Sequence, residues 1–492
     1  MTTNKNFLSK HTFLTALKCS TMGWHCHNNT SVEDPSLAEI MRMEQGQNIH
    51  EYARSQYKEG ILVDVIDAEN ALKLTDELMN YSPAEVIFEP YFRYHGCVAR
   101  ADILIRNNDM WVVEEVKSST ALKPSLVDDL AYTVMVMKGF GIEIDDINLW
   151  LVNQEYRLGH NSEPLLKPID VTTDVLVIAG EFENIRPELE KSVLSGSCPD
   201  GQWKWACREC DYFAQHCVGK GIDAPIFQIP RLGSKKFKKL LEIGVTEIEF
   251  VPEDFELSDR QREVVNTVQT GETKVKPGLK DALDEWQRPF YYLDFETVSS
   301  CIPVYEDMHP YSQVPTQYSL HINGHNGNLE HLEYLAEGSR DCRREFIEML
   351  LTDIGDVGSV VVYSSYENTV LTHLQKWFHD LENDIGAIKD RLVDMEKLIS
   401  KFVRHPGFKG RTSIKATLPV LVPHMDYFGL EISGGGDASA VFYRLAKGQV
   451  QPDMVKSTRK ALVEYCKMDT LAMVRIHEVL TRLAYGNTEK LS

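Results

Sequence analysis

The spacing of apolar and polar positions predicts two successive stretches of mixed helix and strand. In the first stretch, apolar residues recur at helical spacing over Leu37–Tyr57. Short apolar runs then predict strands with one helix among them, in the order Val86–Tyr94, Val98–Ile105, Trp111–Lys117, the helix Leu126–Lys138, and Ile147–Asn153. Residues 1–220 are therefore predicted to form one α/β domain.

The second stretch begins with an apolar strand, PFYYLDFET, directly after residue 288. A further apolar strand lies in VGSVVVYSSYE, and a long helix is predicted around residues 456–485. The residues between the two stretches are polar, show helical spacing and are punctuated by prolines. We therefore expect a helical connector over 221–285 and a second α/β domain over 286–492.

Length and composition support a globular protein of more than one domain. The chain has 492 residues, of which 43% are hydrophobic and 25% charged, and it is too long for a single hydrophobic core. No apolar run approaches the roughly 20 residues that span a bilayer. The first twenty residues contain no continuous apolar stretch of signal-peptide length. We expect a cytoplasmic protein with no membrane partner.

Two carboxylates and a lysine are predicted to converge on a β-hairpin. In ARADILIRNNDMWVVEEVKSST, two apolar-rich runs flank a polar turn at residues 107–109. Glu115 and Lys117 share one face of a strand, and pairing across the hairpin can bring Asp102 beside them. Such a cluster suits phosphodiester hydrolysis, in which carboxylates hold Mg²⁺ or Mn²⁺ and the lysine orients or deprotonates the attacking water. An exposed strand with alternating charges is the alternative.

The ten cysteines are expected to be reduced in the cytoplasm, so clusters of them suggest metal ligation before disulfides. Cys207, Cys210 and Cys217 form a C-x2-C-x6-C pattern, and Cys19 lies on the first predicted helix. Together with Cys198, the three late cysteines could make a four-cysteine zinc site. Zinc ribbons usually show two C-x2-C knuckles and this chain has one, so spacing alone leaves the metal open.

The order of these features resembles RecB-like nucleases of the PD-(D/E)xK superfamily, in their iron–sulfur branch. The resemblance rests on the hairpin, on GQNIHEYAR before it, on DDLAYTVMVMK after it and on the cysteines. It implies a restriction-endonuclease-like fold, with His50 as a further ligand of the active-site metal. The family's Q-x3-Y helix has Asp128 and Tyr132 here, and Tyr132 is implied to contact substrate. The resemblance also implies a [4Fe–4S] cluster bound by Cys19, Cys207, Cys210 and Cys217.

A second set of acids follows the strand PFYYLDFET. Asp294 and Glu296 are two apart on that strand and face the same side. Glu367 opens a helix after the next apolar strand, and Tyr465 and Asp469 lie four apart on one helix face. Four such carboxylates can hold two divalent metals roughly 4 Å apart, and the tyrosine can orient the attacking water. A helix cap and a surface pair are the alternative interpretations of these motifs.

The order of these motifs resembles the DEDD 3′→5′ exonucleases, in the subclass whose third motif is Y-x3-D. The resemblance implies an RNase H-like fold, with Mg²⁺ or Mn²⁺ bound by Asp294, Glu296, Glu367 and Asp469. Tyr465 is implied to position the water. This sequence has Glu367 where the family has aspartate. The whole chain resembles a bacterial family in which a RecB-like nuclease domain precedes a domain of unknown function.

Charge gives a weaker indication of nucleic-acid contact. The formal net charge of −21 argues against a general nucleic-acid coat protein, although an acidic body can carry a locally basic groove. Basic residues concentrate in Arg231–Leu240 and in Lys401–Lys415. In the second stretch, Lys409, Arg411 and Lys415 are predicted to contact phosphates. A solvated charged face is the alternative for both stretches.

Together these patterns predict a metal-dependent nuclease with two active sites that processes DNA ends or single strands. The C-terminal site is expected to trim 3′ ends. The chain has no G-x4-G-K-[ST] sequence, so any unwinding is expected from a separate helicase partner. An RNA-processing exonuclease is one alternative. A non-catalytic nucleic-acid-binding or assembly protein with relic nuclease folds is another.

Overall fold

The structure is a computed structural model that describes residues 7–28, 35–81, 84–432 and 434–486. Internal contacts divide the chain into two compact units, and both are mixed α/β. The first unit contains Glu39–Gly221, the described residues before Ser36, and Ser300–Ser312. The second unit contains Ser36–Ala38, Ile222–Ser299 and the described residues from Gln313 onward.

Two features of this division are not evident from the sequence. The helical stretch after Gly221, expected as a connector, packs within the second unit. The segment Ser300–Ser312 packs within the first unit, although it follows the first strand of the second. It does so through specific contacts, because Cys301 N–H donates to Gln45 Oε1 and Leu158 N–H donates to Met308 O.

The helices of the first unit, among the described residues, are α1 (Lys10–Lys18), α2 (Ser20–Asn28), α3 (Leu37–Arg54), α4 (Ala68–Asn80), α5 (Pro124–Phe140), α6 (Thr172–Val193) and α7 (Phe213–His216). Its strands are β1 (Ile61–Leu62), β2 (Val86–Phe88), β3 (Tyr91–Tyr94), β4 (Cys97–Arg100), β5 (Ile103–Asn107), β6 (Met110–Lys117), β7 (Ile144–Val152) and β8 (Leu166–Asp170). Five of its strands, β2 to β6, follow one another in the chain without an intervening helix.

A six-stranded sheet forms the centre of the first unit, in the order β1-β2-β5-β6-β7-β8. The predicted hairpin is confirmed, because β5 and β6 pair antiparallel with Ile103 opposite Glu114. Two predicted strands are each divided in the structure. Val86–Tyr94 breaks at Glu89, whose φ is 55°, into β2 and β3. Val98–Ile105 breaks before Asp102 into β4 and β5, so this acid lies at a strand end.

Helix α5 is the most buried helix segment of the first unit's core. Every residue from Leu130 to Met137 is buried, which agrees with a sequence that is apolar on all faces. The helix packs against α6, α1 and the separate hairpin of β3 and β4. Pro124 stands at its first position, and Gly141 ends it with φ 107°. The helix therefore fixes the position of α1 relative to the sheet.

The helices of the second unit, among the described residues, are α8 (Gly233–Glu242), α9 (Asp259–Thr270), α10 (Leu279–Asp284), α11 (Arg343–Asp353), α12 (Tyr366–Trp377), α13 (Glu382–Lys389), α14 (Met395–Phe402), α15 (Ile414–Leu421), α16 (Gly435–Ala446) and α17 (Val455–Ala484). Its strands are β9 (Lys274–Val275), β10 (Phe290–Val298), β11 (Val314–Asn323), β12 (Leu329–Leu335), β13 (Ser359–Val362), β14 (Leu392–Asp394) and β15 (Val403–Arg404). The predicted strands at PFYYLDFET and VGSVVV and the long C-terminal helix are confirmed.

A five-stranded sheet forms the centre of the second unit, in the order β12-β11-β10-β13-β14. The central strand β10 pairs antiparallel with β11 and parallel with β13. Helix α17 packs across β10 and β11, while α16 also contacts β10. A short antiparallel pair, β9 with β15, lies outside this sheet. Among the described helices of the chain, none is long and apolar enough to cross a bilayer.

Candidate metal centres

In the first unit, the hairpin brings Asp102 and Glu115 together. Asp102 directly precedes β5, and the register of β5 with β6 sets it beside Glu115. Its Oδ2 accepts a hydrogen bond of 2.7 Å from the N–H of Val116. This bond fixes one carboxylate oxygen against the strand that carries the other acid. The predicted pairing of the two acids is therefore present.

Two lysines and two acids form a closed ion-pair network beside Asp102. Lys117 Nζ lies 2.8 Å from Glu115 Oε1 and 2.6 Å from Asp129 Oδ2. Lys10 Nζ, at the start of α1, lies 2.8 Å and 3.0 Å from the same two oxygens. Each lysine is 23% exposed and Glu115 is 1% exposed. Both ammonium groups thus bind one carboxylate oxygen of Glu115.

The other oxygen of Glu115 has no partner among the described residues. Glu115 Oε2 is buried and accepts no hydrogen bond. Burial alone would raise the pKa of Glu115, but Lys10 and Lys117 outweigh it and hold that pKa well below its ordinary value. A buried, charged oxygen without a donor is costly unless a cation reaches it. This oxygen is therefore suited to bind a divalent metal.

His50 and Glu89 complete a second group of possible ligands around Asp102. His50 Nε2 lies 3.7 Å from Asp102 Oδ2, and His50 Nδ1 lies 3.8 Å from Glu89 Oε1. One ligand atom from each of these three residues lies within 4.8 Å of the other two. Burial, reinforced by the charge of Glu115, raises the pKa of Asp102 to about 7. Oxygen and imidazole ligands at these distances fit Mg²⁺ or Mn²⁺.

The structure brings four of the predicted residues together but not the fifth. His50, Asp102, Glu115 and Lys117 share one site, whereas Tyr132 does not reach it. The Tyr132 side chain is fully buried, and its hydroxyl donates to the carbonyl of Leu8 at 2.7 Å. It joins the N-terminal segment to the hairpin of β3 and β4, so the predicted substrate contact is wrong.

Three residues of this site were missed by the sequence reasoning: Lys10, Glu89 and Asp129. Asp129, and not its neighbour Asp128, pairs with the lysines. Two adjacent acids on one helix point in directions about 100° apart, so the phase of α5 could have separated them. Lys10 follows the N-cap Ser9 of α1 and carries no motif of its own.

The four predicted cluster ligands line one pocket in the first unit. This pocket is lined by Cys19, Cys207, Cys210 and Cys217. A Cβ on Gly201 would lie 2.6 Å from Cys217 Sγ, so a glycine there leaves room for this thiol. None of the ten cysteines is in a disulfide. Cys198, the alternative zinc ligand, is exposed, and its Sγ lies 3.6 Å from His25 Nε2.

In the second unit, five predicted residues line one cleft: Asp294, Glu296, Glu367, Tyr465 and Asp469. One carboxylate oxygen from each of Asp294, Glu296 and Asp469 lies within 4.8 Å of the other two. Glu367 is 3% exposed in the first turn of α12, and its Oε2 has no hydrogen-bond partner. The elements that supply these side chains are those predicted, namely β10, α12 and α17.

Burial raises the pKa of the four predicted acids of this cleft, and repulsion from neighbouring acids adds to it at Asp294, Glu296 and Glu367. Burial, with the charges of Asp469 and Glu367, raises the pKa of Glu296 to about 8. Burial also raises the pKa of Glu367 to about 8, that of Asp469 to about 6, and that of Asp294 well above its ordinary range. Crowded carboxylates of this kind are stabilised by a divalent cation, which holds them charged.

Further groups contact the acids of the cleft. The hydroxyl of Tyr427 donates a short hydrogen bond to Asp469. Cys466 Sγ lies 3.3 Å from Asp294 Oδ2 and is fully buried. A Cβ on Gly435, where α16 begins, would lie 3.4 Å from Glu296 Oε2, so the helix start approaches this acid closely. The sequence reasoning missed Tyr427, which lies in an irregular segment without a motif.

The three predicted phosphate contacts have different surroundings. Lys409 Nζ pairs with Asp223 at 2.5 Å, so its charge is already balanced. Lys415 lies near the cleft, where its charge lowers the pKa of Glu296 and Asp469 against the stronger effect of burial. Arg411 is exposed and lines a pocket outside the cleft. The basic stretch is therefore divided among three positions and is not one face.

Comparisons with known proteins match one region of the chain to a described domain. A model of a domain of unknown function, DUF2779, matches residues 291–413. An uncharacterized protein of Mycoplasma genitalium, MG366, is 24% identical over 218 residues, which are 40% of this chain and 33% of that protein. Its Mycoplasma pneumoniae homolog is 25% identical over 206 residues, 38% of this chain and 31% of that protein. The chain thus spans about a third of the length of these relatives.

One solved structure, titled "Crystal structure of SSO0001", covers 42% of this chain and 97% of its own with 18% identity. Its TM-score of 0.16 is too low to bear on the fold. The matched residues 291–413 include Asp294, Glu296 and Glu367 and end before Asp469. The chain contains a DUF2779 domain in its C-terminal region.

Proposed function

We propose that this chain is a metal-dependent nuclease with two active sites, and that it processes DNA ends or single strands. The observation that carries the proposal is the cleft of the second unit. There, carboxylates of β10 and α17 approach within 4.8 Å of one another, and Glu367 lines the same cleft. Two buried acids, Glu367 and Asp469, and two half-buried acids, Asp294 and Glu296, all have raised pKa values, and such a cluster is unfavourable without a cation.

In the second unit, the proposed reaction is 3′→5′ trimming. Asp294, Glu296, Glu367 and Asp469 hold Mg²⁺ or Mn²⁺, which when bound polarises the phosphate and stabilises the attacking and leaving oxygens. Tyr465 lies one helical turn before Asp469 on α17 and lines the cleft, so its hydroxyl positions the attacking water. An RNase H-like fold is proposed here, supported by acids on the central strand of a mixed sheet flanked by helices.

In the first unit, the proposed reaction is cleavage or resection of strands by a restriction-endonuclease-like site. Asp102, Glu115 Oε2 and His50 bind the metal, and Glu89 is a further possible ligand. Lys117 is held as an ammonium group, because Glu115 and Asp129 outweigh the effect of its burial and raise its pKa. It therefore orients the water and the phosphate in this site. It does not act as the general base while Glu115 and Asp129 are paired with it.

A [4Fe–4S] cluster bound by Cys19, Cys207, Cys210 and Cys217 is proposed as a brace of the first unit. Support comes from the common pocket of the four thiols and from the distance in sequence between Cys19 and the other three. The cluster would join the C-terminus of α1 to the end of this unit. Iron and acid-labile sulfide in anaerobically purified protein would support it, while stoichiometric zinc in colourless protein would replace it with a zinc site.

The proposed function is tested by nuclease assays on end-labelled single-stranded DNA, duplex DNA and RNA with Mg²⁺ or Mn²⁺. Lys117→Ala should abolish only the first activity and Asp294→Ala only the second. Each variant serves as the control of the other, since both remove one charge from one site. If one substitution removed both activities, or if neither altered cleavage, the two-site proposal would fail.

A further inference from the structure

A cluster of arginines lines a small pocket of the second unit, outside the acid cleft. The pocket lies between α9 and residues 403–412. Its cationic lining residues are Arg260, Arg404 and Arg411, and His405 lies beside them. Of the described residues that line this pocket, none is acidic. The arginine pocket, defined by these four residues, is therefore suited to an anion.

Arg404 gives the pocket a fixed donor that has no acceptor. This residue is 8% exposed, and its Nη1 donates to the carbonyls of Ser400 and Val403 at 2.8 Å and 2.9 Å. Its Nε is buried and has no hydrogen-bond partner among the described residues. Leaving such a donor unpaired is unfavourable, and a ligand oxygen that reached it would remove this cost.

The charge of the arginine pocket is only partly balanced. Glu263 lies 3.2 Å from Arg404 Nη2, but the same carboxylate group is 2.6 Å from Lys276 Nζ. Arg260 Nη2 donates to Ser400 Oγ at 2.9 Å, a neutral partner. One shared carboxylate thus faces several cations. Planar guanidinium groups bind phosphate oxygens in pairs, so phosphate is the anion that fits this chemistry.

The turn before Arg411 is held in one conformation. Lys409 and Gly410 both have positive φ, 46° and 76°. A Cβ at Gly410 would lie 2.8 Å from the carbonyl of Gln228, so only glycine fits there. The ion pair of Lys409 with Asp223 ties down the same turn. Lys409 therefore has a structural role, and Arg411 is presented from a fixed backbone.

The arginine pocket adjoins the acid cleft along the chain. Thr412 lines the pocket, and the next residue, Ser413, lines the cleft. Thr412 Oγ1 also donates to Glu396 Oε1 at 2.9 Å, and Glu396 lines the cleft. We propose that the arginine pocket binds a phosphate of the nucleic-acid strand whose 3′ end lies in the acid cleft. This assignment rests on the proposed function.

The first test measures binding of a fluorescent single-stranded oligonucleotide to the full chain carrying both Asp294→Asn and Lys117→Ala, so that neither proposed site cuts the strand. Adding Arg411→Gln or Arg260→Gln should weaken binding roughly three- to tenfold and reduce the salt slope by about 0.7. Lys401→Gln is the matched control, because this exposed lysine belongs to the same basic stretch but does not line the pocket. Equal effects of Lys401→Gln and Arg411→Gln would overturn the proposal.

The second test locates the phosphate by replacing one linkage at a time with an uncharged methylphosphonate, counted from the 3′ end. Replacement of one particular linkage should weaken binding to the protein that retains Arg411. The same replacement should have no effect on binding to the Arg411→Gln variant. Inorganic phosphate is the other probe, since a free anion has the same chemistry. Inorganic phosphate could raise the melting temperature of the protein with Arg411 and not that of the Arg411→Gln variant. If it did so while no linkage in the scan depended on Arg411, the assignment to a strand phosphate would be wrong.

Failure of this assignment and failure of the proposed function give different results. Binding is measured without hydrolysis, whereas the function is measured by cleavage with Arg404, Arg411 and Arg260 intact. In the active chain, Arg411→Gln should raise KM for the oligonucleotide three- to tenfold and leave kcat within about twofold. A lowered kcat at unchanged KM would place Arg411 at the reacting atoms and contradict a distant phosphate contact.

Discussion

The acid clusters of the two units differ in what balances their charge. In the first unit, Lys10 and Lys117 lie within 3.0 Å of Glu115 and Asp129. In the second unit, the charge of Lys415 opposes the raised pKa of Glu296, but burial and neighbouring acids outweigh it. The first cluster therefore carries its own cations, whereas the second is proposed to bind a cation from solution.

The two clusters would therefore prepare a metal site in different ways. The lysines keep Glu115 charged and occupy one of its oxygens, which leaves the other without a hydrogen-bond partner among the described residues and available to the proposed metal. The acids of the second cleft instead take up protons when no metal is bound, because their pKa values are raised. Metal binding there must release protons, so its affinity should depend more steeply on pH than in the first unit.

The largest expected effect is on stability against pH in the second unit. Without metal, the pKa values of Glu296 and Glu367 rise from 4.5 to about 8 on folding, so the folded state binds more protons than the unfolded state. Stability contributed by these groups is present at pH 5 and is lost as pH rises through about 8, by a few kcal/mol.

This prediction is measured by hydrogen exchange of β10 peptides in EDTA from pH 5 to 8, corrected for the intrinsic exchange rate. Saturating Mg²⁺ should remove the loss. Peptides of β6 are the internal control. The lowered pKa of Glu115 contributes stability that is lost only below its ordinary value, although the raised pKa of Asp102 opposes this in part. Equal losses of protection in the β10 and β6 peptides would contradict the predicted difference between the two units.

Neutralising one acid should affect the two units in opposite directions. Glu115→Gln leaves Lys10 and Lys117 with a single shared acid and should destabilise the first unit by about 2 kcal/mol, since the lysines keep some solvent. Asp294→Asn relieves repulsion and should stabilise the metal-free second unit by about 1 kcal/mol at pH 8. Exposed Glu85→Gln is the control. A metal-free protein destabilised by Asp294→Asn would contradict the repulsion argument.

A matched pair of neighbouring acids tests the ion-pair network of the first unit. Asp129→Asn removes one acid from Lys117 and should lower the rate of the N-terminal activity about tenfold. Asp128→Asn, next to it on α5, should change the rate by less than twofold. The measurement is single-turnover cleavage in a chain that carries Asp294→Ala. A larger effect of Asp128→Asn would restore the assignment that the family motif implies.

In the two central sheets, the face that a residue presents could be predicted from the alternation of residues along its strand. Glu115 with Lys117 and Asp294 with Glu296 are two apart, so strand geometry alone brings each pair together. Tyr465 and Asp469 follow from helical spacing in the same way. The cluster acids could therefore be located from sequence, and they line the expected sites.

Residues positioned by tertiary packing could not be predicted in this way. Lys10 reaches Glu115 because α1 packs on α5, and Glu89 reaches His50 through a turn with φ 55°. Tyr132 shows the converse. The family motif implies a contact with substrate, but in the structure its buried hydroxyl donates to the backbone carbonyl of Leu8. Local spacing carries no information about such contacts, which join residues far apart in the sequence.

The smallest expected effect is that of removing the hydroxyl of Tyr427, one of two tyrosines near Asp469 whose ring centroids lie 6.2 Å apart. The hydrogen bond from Tyr427 lowers the pKa of Asp469 against the effect of burial, which raises it to about 6. Tyr427→Phe should therefore weaken Mg²⁺ binding about threefold at pH 6.5, less at pH 8, and leave kcat unchanged at saturating Mg²⁺. Tyr465→Phe, which removes the hydroxyl proposed to position water, should lower kcat about 10- to 100-fold at any Mg²⁺ concentration. If Tyr427→Phe lowered kcat and Tyr465→Phe changed only the Mg²⁺ requirement, the roles of the two hydroxyls would be exchanged.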